Sequence, residues 1–124
     1  MKSYTDINQS KKLAEILPSD SADMARCGGE NVIMTDYISA KKKFSVCGEL
    51  TITPCWSLAA LLRVIPKHIK DYNVLRIDIS DNDFAIWYDE IGYGVNNELP
   101  NITEESAVDA CVNTIIKLKE RNLI

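Results

Sequence analysis

Hydrophobic residues are densest between Thr53 and Ile65, a segment in which Arg63 is the only charged residue. The first residues of this segment suit a helix start, because threonine caps helix N-termini and proline is favoured at the first helical position. An apolar stripe at helical spacing consists of Cys55, Leu58, Leu62 and Ile65. Such a stripe is buried against neighbouring elements. The pattern therefore predicts a central buried helix from Thr53 to Ile65 that stops at Pro66.

The first of two predicted β-hairpins precedes this helix. A strand over Val32–Ile38 is suggested by its apolar residues, Val32, Ile33, Met34, Tyr37 and Ile38, and Phe44–Ile52 alternates between apolar and polar residues as a half-buried strand does. A turn over Ser39–Lys42 joins the two strands, and we interpret the Lys41–Lys43 run as solvated charge beside a strand. Ahead of this hairpin, turn-forming residues from Pro18 to Glu30 predict a long surface connection from which Met24 reaches back to the core.

The second predicted hairpin follows the helix. Strands over Leu75–Ile79 and Phe84–Tyr88 flank a two-residue turn, Asp81-Asn82, whose residue types tolerate the left-handed backbone of tight hairpins. This turn fixes the pairing as Ile79 with Phe84, Ile77 with Ile86, and Leu75 with Tyr88 on one face. The same register sets Arg76 opposite Trp87 on the other face.

Two further helices are predicted, one near each end of the sequence. Asp6 and Gln9 have the spacing of a capping box and begin a helix over Ile7–Leu17. Thr103 is the predicted cap of a last helix that ends near Arg121, with a buried stripe of Val108, Cys111, Ile115 and Leu118. The resulting order, α-β-β-α-β-β-α, predicts one α+β domain over residues 1–124, with antiparallel hairpins packed on the central helix and two flanking helices.

Composition narrows the class of protein. The 124 residues are 46% hydrophobic and 26% charged, with a formal net charge of -4. This acidic balance argues against nucleic-acid binding, which depends on clustered Lys and Arg. No apolar run approaches the ~18 to 20 residues that span a bilayer, and the polar first ten residues lack a signal core. We therefore expect a cytoplasmic protein that binds neither membrane nor nucleic acid.

Cys55 is the strongest candidate for catalysis, because a thiol in the first turn of a helix has a lowered pKa. A thiol-dependent hydrolase also needs a base within about 3 Å. The single histidine, His68, lies 13 positions later and so about 15 to 20 Å away along a helix. A free, buried thiol is therefore the expected state of Cys55, and the other cysteines, Cys27, Cys47 and Cys111, are also expected to be free, with Cys47 facing outward.

No metal or cofactor is predicted. The cysteines and His68 lack zinc-site spacing. A calcium loop that starts at Asp81 needs an oxygen ligand and a glycine where Ala85 and Ile86 stand. A pair of hydrolytic carboxylates, Asp78 and Asp89, is out of step in the hairpin register, and nothing in the sequence supplies a cleft for it.

Three stretches resemble a group of short, uncharacterised bacterial proteins, many of them from gut anaerobes and their phages or mobile elements. They are Gln9–Leu13 continuing to Ser21–Met24, Pro54–Leu62 continuing to Pro66, and Asp109–Cys111. The second stretch, P-C-W-S-L-x-A-L-L, is the most specific. The resemblance implies a shared fold and an accessory role, and it implies no catalytic residue.

The predicted binding surface consists of Arg76, Trp87, Tyr88 and Tyr93. Arg76 and Trp87 share the outer face of the Val74–Tyr88 hairpin, which is either packed by a helix or open as a contact surface. Tyr93 belongs to the predicted Gly92–Leu99 loop, which is the other part of the candidate surface. The sequence therefore predicts a non-catalytic protein that acts through a protein partner or self-association, and a thiol-dependent hydrolase using Cys55 is the alternative.

Overall fold

The computed structural model describes residues 2–27, 31–33, 36–44 and 52–124, with residues 31, 33 and 42–44 given by their backbone alone. The chain divides into two compact units, Ser3–Leu61 and Lys2 with Leu62–Ile124. The described elements are α1 (Ile7–Ile16), a 3-10 helix (Ser19–Ser21), β1 (Met24–Cys27), β2 (Asn31–Ile33), α2 (Tyr37–Phe44), β3 (Ile52–Cys55), α3 (Leu58–Val64), β4 (His68–Ile69), β5 (Asn73–Ile79), β6 (Phe84–Glu90), β7 (Gly94–Val95), β8 (Ile102–Glu104) and α4 (Ala107–Glu120). The predicted α+β class with antiparallel pairing is confirmed, and the order of elements is broadly the predicted one. The predicted single domain over residues 1–124 stays a prediction.

The first helix begins as the sequence predicts. The Asp6 carboxylate accepts the Gln9 amide hydrogen at 2.8 Å, and the Gln9 side chain accepts the Asp6 amide hydrogen at 3.1 Å. This reciprocal capping box is confirmed, and α1 ends at Ile16. Pro18 follows in extended conformation, because it cannot donate the hydrogen bond that would continue the helix.

The segment before α1 is tied into the Ser3–Leu61 unit through Thr5, which is fully buried. The Thr5 amide donates to the Trp56 carbonyl at 3.0 Å, and the Thr5 hydroxyl lies 2.7 Å from the Ser10 hydroxyl. The Arg26 guanidinium, itself buried, donates to the Thr5 carbonyl from Nε at 3.2 Å and from Nη2 at 2.5 Å. The buried charge of Arg26 is thus bonded to the backbone of this segment.

A three-stranded antiparallel sheet, in the order β2-β1-β3, forms in the same unit. All four residues of β1 are buried, and Met24 pairs with Cys55. The predicted surface connection over Pro18–Glu30 is therefore wrong where the chain forms β1, although the predicted burial of Met24 is confirmed. This stretch has strand partners on both sides, and those non-local partners decide its conformation.

The predicted central helix is wrong in its first five residues. Residues 53–55 belong to β3, and α3 begins only at Leu58. The cap is Ser57 in place of Thr53, because the Ser57 hydroxyl accepts the Ala60 amide hydrogen at 3.2 Å. The Asp23 carboxylate holds Ser57 by accepting its amide hydrogen at 2.9 Å and its hydroxyl hydrogen.

The predicted burial of this segment is confirmed only in part. Of the predicted stripe, Cys55 and Ile65 are at most 1% exposed, whereas Leu58 and Leu62 are half-buried. Trp56 and Leu61 are fully buried. The Trp56 indole nitrogen donates to the Ser21 hydroxyl at 3.0 Å, so the ring is buried with its one polar group satisfied.

The residues predicted to form the strand end at Tyr37-Ile38 and the turn at Ser39–Lys42 form the helix α2. The Asp36 carboxylate accepts the Ser39 amide hydrogen at 2.9 Å and the Ser39 hydroxyl hydrogen at 2.8 Å, which caps the helix and lowers the pKa of Asp36. Lys41 therefore lies on a helix, 5.8 Å from the centre of the Tyr37 ring. Most of the predicted Phe44–Ile52 strand lies outside the described residues.

The Leu62–Ile124 unit contains a five-stranded antiparallel sheet in the order β4-β5-β6-β7, with β8 also beside β6. The predicted register of β5 and β6 is confirmed at all four pairs. The Ser80 amide donates to the Asp83 carbonyl at 2.9 Å and closes a turn around Asp81 and Asn82. The expected left-handed backbone is wrong, because neither of these two residues is among those with positive φ.

The last helix, α4, packs on β6 and β8. Its cap is Ser106, whose hydroxyl accepts the Asp109 amide hydrogen at 3.3 Å, whereas the predicted cap Thr103 lies in β8. The Asn113 side chain donates to Glu104 at 2.9 Å, so α4 lies on the face that carries Glu104 and its cross-strand partner Phe84. The predicted stripe of α4 is fully buried. The opposite face of this sheet, which carries Arg76 and Trp87, is called the outer face.

Candidate functional site

Arg76 and Trp87 lie together on the outer face, as the register predicts. The Asp89 carboxylate joins them, because one oxygen accepts the Trp87 indole hydrogen at 2.9 Å and the other accepts from Arg76 Nε at 3.1 Å. Trp87 is half-buried, and the Arg76 side chain is 55% exposed. Sequence reasoning missed Asp89 as the shared partner. Its position two residues after Trp87, and diagonal to Arg76 in the register, was the available signal.

Tyr88 lies on the opposite face and is fully buried. Its hydroxyl donates to the Pro66 carbonyl at 2.7 Å, and burial raises its pKa well above the ordinary value. The alternation of the strand separates Tyr88 from its neighbour Trp87. Tyr88 is therefore a core residue of this unit and is not exposed on the predicted binding surface.

Tyr93 lies in a cluster of exposed apolar side chains where β6 turns into β7. We call Tyr72, Ile91, Tyr93 and Val95 the end patch, and they are 49%, 62%, 84% and 48% exposed. The Ile91 amide donates to the Tyr72 carbonyl at 2.8 Å, which places these two residues side by side. The Tyr93 amide donates to the Glu90 carbonyl at 2.9 Å around Gly92, whose φ of +90° is the conformation that this turn position requires.

The end patch continues the outer face. Val95 pairs with Asp89 across β6 and β7, so the two side chains leave the sheet on the same side. Ile91 follows Asp89 by two residues, one position beyond the end of β6. The Arg76-Asp89-Trp87 cluster and the end patch therefore form one surface, with a polar centre and an apolar end.

A polar cleft of about 280 Å³ lies in the same unit, beside the end patch residue Tyr72. Asn73, which is buried in its wall, donates to the Ile69 carbonyl at 3.1 Å and accepts from the Asn96 amide group at 2.9 Å. Arg121 donates to the Glu98 carbonyl at 2.5 Å. These hydrogen bonds use the side-chain amides of Asn73 and Asn96 and the Arg121 guanidinium, and they brace the loop over residues 96–99.

The candidate nucleophile is fully buried. The Cys55 sulfur lies 3.5 Å from both the hydroxyl and the carbonyl oxygen of Thr5. Cys27 and Cys111 are also buried free thiols, and burial raises the pKa of Cys111 to about 12. Cys47 lies outside the described residues. His68 is an exposed residue of β4.

Within the described ranges, no three Cys, His, Asp or Glu side chains gather as metal ligands. None of the helices found in those ranges has the length and apolar content that crossing a membrane requires. Comparison of the chain with protein-family models, with curated proteins and with solved structures finds no match. The resemblance carried by the Pro54–Leu62 stretch therefore stays a prediction.

Proposed function

We propose that this protein is a non-catalytic binding protein that contacts another protein through the outer face and the end patch. The end patch is the observation that carries this proposal. Its four large apolar side chains, grouped at one end of one sheet, are each about half exposed or more. Grouped apolar side chains beside polar residues are characteristic of protein contact sites, whereas single exposed apolar residues are ordinary.

The neighbouring Arg76-Asp89-Trp87 cluster supports the proposal. Asp89 fixes both the indole and the guanidinium, so these two side chains lose little conformational freedom when a partner covers them. Tryptophan, tyrosine and arginine supply a large share of the binding energy at protein interfaces. A partner that covers this surface would therefore gain binding energy from both its polar centre and its apolar end.

The burial of Cys55 favours this function over the thiol-dependent hydrolase. A nucleophile must reach its substrate and a base, and the recorded contacts of the Cys55 sulfur are with the hydroxyl and carbonyl oxygens of Thr5. A carbonyl oxygen cannot take up a proton from the thiol at neutral pH. The accessory role implied by the resemblance to short bacterial proteins agrees with a binding function.

Photo-crosslinking in the host cell tests the proposal. A benzophenone amino acid replaces Tyr93 in one variant and the exposed residue Lys11 of α1 in a matched control. We expect a crosslinked adduct of defined mass from position 93, its loss when Ile91→Ser and Val95→Ser are added, and no such adduct from position 11. Equal labelling from both positions, or no adduct from position 93, would contradict the proposal.

Light scattering after size-exclusion chromatography identifies the partner class. An adduct of twice the chain mass, together with a dimer in solution that Trp87→Ala weakens, assigns the surface to self-association. An adduct of another mass, together with a monomer that Trp87→Ala leaves unchanged, assigns it to a different protein. The purified partner should then bind the wild-type chain at least about tenfold more tightly than the Ile91→Ser variant.

A further inference from the structure

Strand β5 has an open edge along its second half. On its side away from β6, β4 pairs only with Asn73 and Val74, and the Leu75 amide donates to the Lys67 carbonyl at 2.9 Å. Beyond Leu75, no strand among the described residues pairs with this side of β5. Along a strand, the N–H and C=O groups of successive residues point to alternate sides. Those of Ile77 and Ile79 therefore point away from β6, as the Leu75 amide does. The open edge, Arg76–Ser80, thus presents two outward N–H groups and two outward C=O groups.

The side chains along this edge are also exposed. Ile77 and Ile79 are 40% and 74% exposed on the face that carries α4, next to the buried residues Ile86 and Phe84 of β6. Asp78 is exposed on the outer face and has no hydrogen bond or ion pair with the described part of the chain. The edge therefore presents an apolar side, an unpaired carboxylate and free main-chain groups.

We propose that the open edge binds an extended segment of a partner protein as an additional antiparallel strand, with a Lys or Arg opposite Asp78 between two apolar residues. The partner residues opposite Ile77 and Ile79 would exchange main-chain hydrogen bonds with them and extend the apolar side. The basic residue would pair with Asp78 across the strands. This site uses none of the four end-patch residues, although Arg76 and Asp78 lie on the outer face that the proposed function also uses. Its main-chain contacts at Ile77 and Ile79 lie on the edge of β5 and do not depend on the function proposed for the end patch.

Charge and space disfavour a second copy of this chain as the occupant. The backbone of Lys67 fills the position opposite Leu75, so an added strand has room only from Arg76 onward. Two copies of β5 related by a two-fold axis would pair antiparallel, and the pairing that fits this space sets Ile77 of one copy opposite Ile79 of the other. The same pairing sets the two copies of Asp78 directly opposite each other. Like charges at opposed positions destabilise a strand pair. Pairings of the two copies that are shifted toward the Asp81-Asn82 turn bring fewer residues of β5 opposite each other.

Short peptides test the charge requirement. The probes are acetyl-Thr-Val-Lys-Val-Thr-amide and the same peptide with Glu in place of Lys, titrated into the full-length isotope-labelled protein at low salt. We expect the largest amide shifts at Ile77 and Ile79, and binding of the Lys peptide about fivefold tighter than that of the Glu peptide. In Asp78→Lys, a substitution at an exposed position, the preference should reverse.

Methylated peptides test the strand geometry. In the proposed pairing, each Val exchanges hydrogen bonds with β5, whereas the N–H of the Lys points away from it. N-methylation of one Val should abolish binding, and N-methylation of the Lys should leave it within about twofold. Equal binding of the Lys and Glu peptides, tolerance of N-methyl-Val, or no shift at Ile77 and Ile79 would overturn the proposal. A wild-type dimer that Ile77→Lys dissociates would overturn it as well, because the edge would then belong to a second copy.

Discussion

Ile77 and Ile86 are cross-strand partners on one face of the five-stranded sheet, yet their burial differs sharply. Ile86 is fully buried and Ile77 is 40% exposed. Replacement by alanine removes three carbon atoms from either side chain, and each buried carbon contributes about 0.8 kcal/mol. For Ile86 the change also leaves a cavity in the core, so we expect the free energy of unfolding to fall by about 3 to 4 kcal/mol.

For Ile77→Ala we expect a loss of about 1 to 1.5 kcal/mol, because the side chain is only partly buried and solvent fills the space that it leaves. The loss of strand propensity is similar at the two positions and cancels in the comparison. Urea unfolding followed by far-UV circular dichroism measures both losses, and the difference of about 2 kcal/mol corresponds to a midpoint shift of roughly 1 M or more. Equal losses in the two variants would refute the assigned burial, and with it the open edge of β5.

Three further predictions concern groups that the structure buries or caps. Asp6→Ala should lower the free energy of unfolding by about 1 kcal/mol, measured by urea unfolding, because α1 loses its capping box. Burial raises the pKa values of Tyr88 and Cys111, so the unfolded chain releases these protons first as the pH rises above about 9. Stability should therefore fall from pH 9 to 11, by up to about 1.4 kcal/mol per pH unit for each group, and Tyr88→Phe should make this slope shallower. In a Cys47→Ser variant, a thiol reagent at pH 7.5 should label no cysteine before unfolding and three cysteines after it, and rapid labelling of Cys55 in the native protein would revive the hydrolase alternative.

The β5-β6 hairpin was predictable because two local signals agree. Alternation of apolar residues assigns the faces, and the turn at Asp81-Asn82 sets the register, so every pair from Leu75-Tyr88 to Ile79-Phe84 follows. The capping box of α1 is local in the same sense. From this register the sequence also indicates that Arg76 and Trp87 share a face, which is the polar centre of the candidate site.

The errors fall where distant contacts decide the conformation. Residues 53–55 have helix-start chemistry, but they pair with β1, a segment whose own sequence suggests a loop. Pro54 is accepted there because β3 is an edge strand of its sheet. The end patch was predicted only in part, through the Gly92–Leu99 loop that contains Tyr93 and Val95. The exposure of Tyr72 and Ile91 depends on which strand ends lack a covering helix, and one sequence does not encode that locally.

The short segment before α1 is largely irregular, but Thr5 makes it part of the interior of the Ser3–Leu61 unit. A protease that trims residues 2–5 would take away the carbonyl to which the buried Arg26 guanidinium donates, along with the hydroxyl beside Ser10 and Cys55. The loss of an acceptor for a buried charge is among the costliest single changes that a small protein undergoes. Loss of these hydrogen bonds should therefore destabilise the Ser3–Leu61 unit and make it more susceptible to proteolysis.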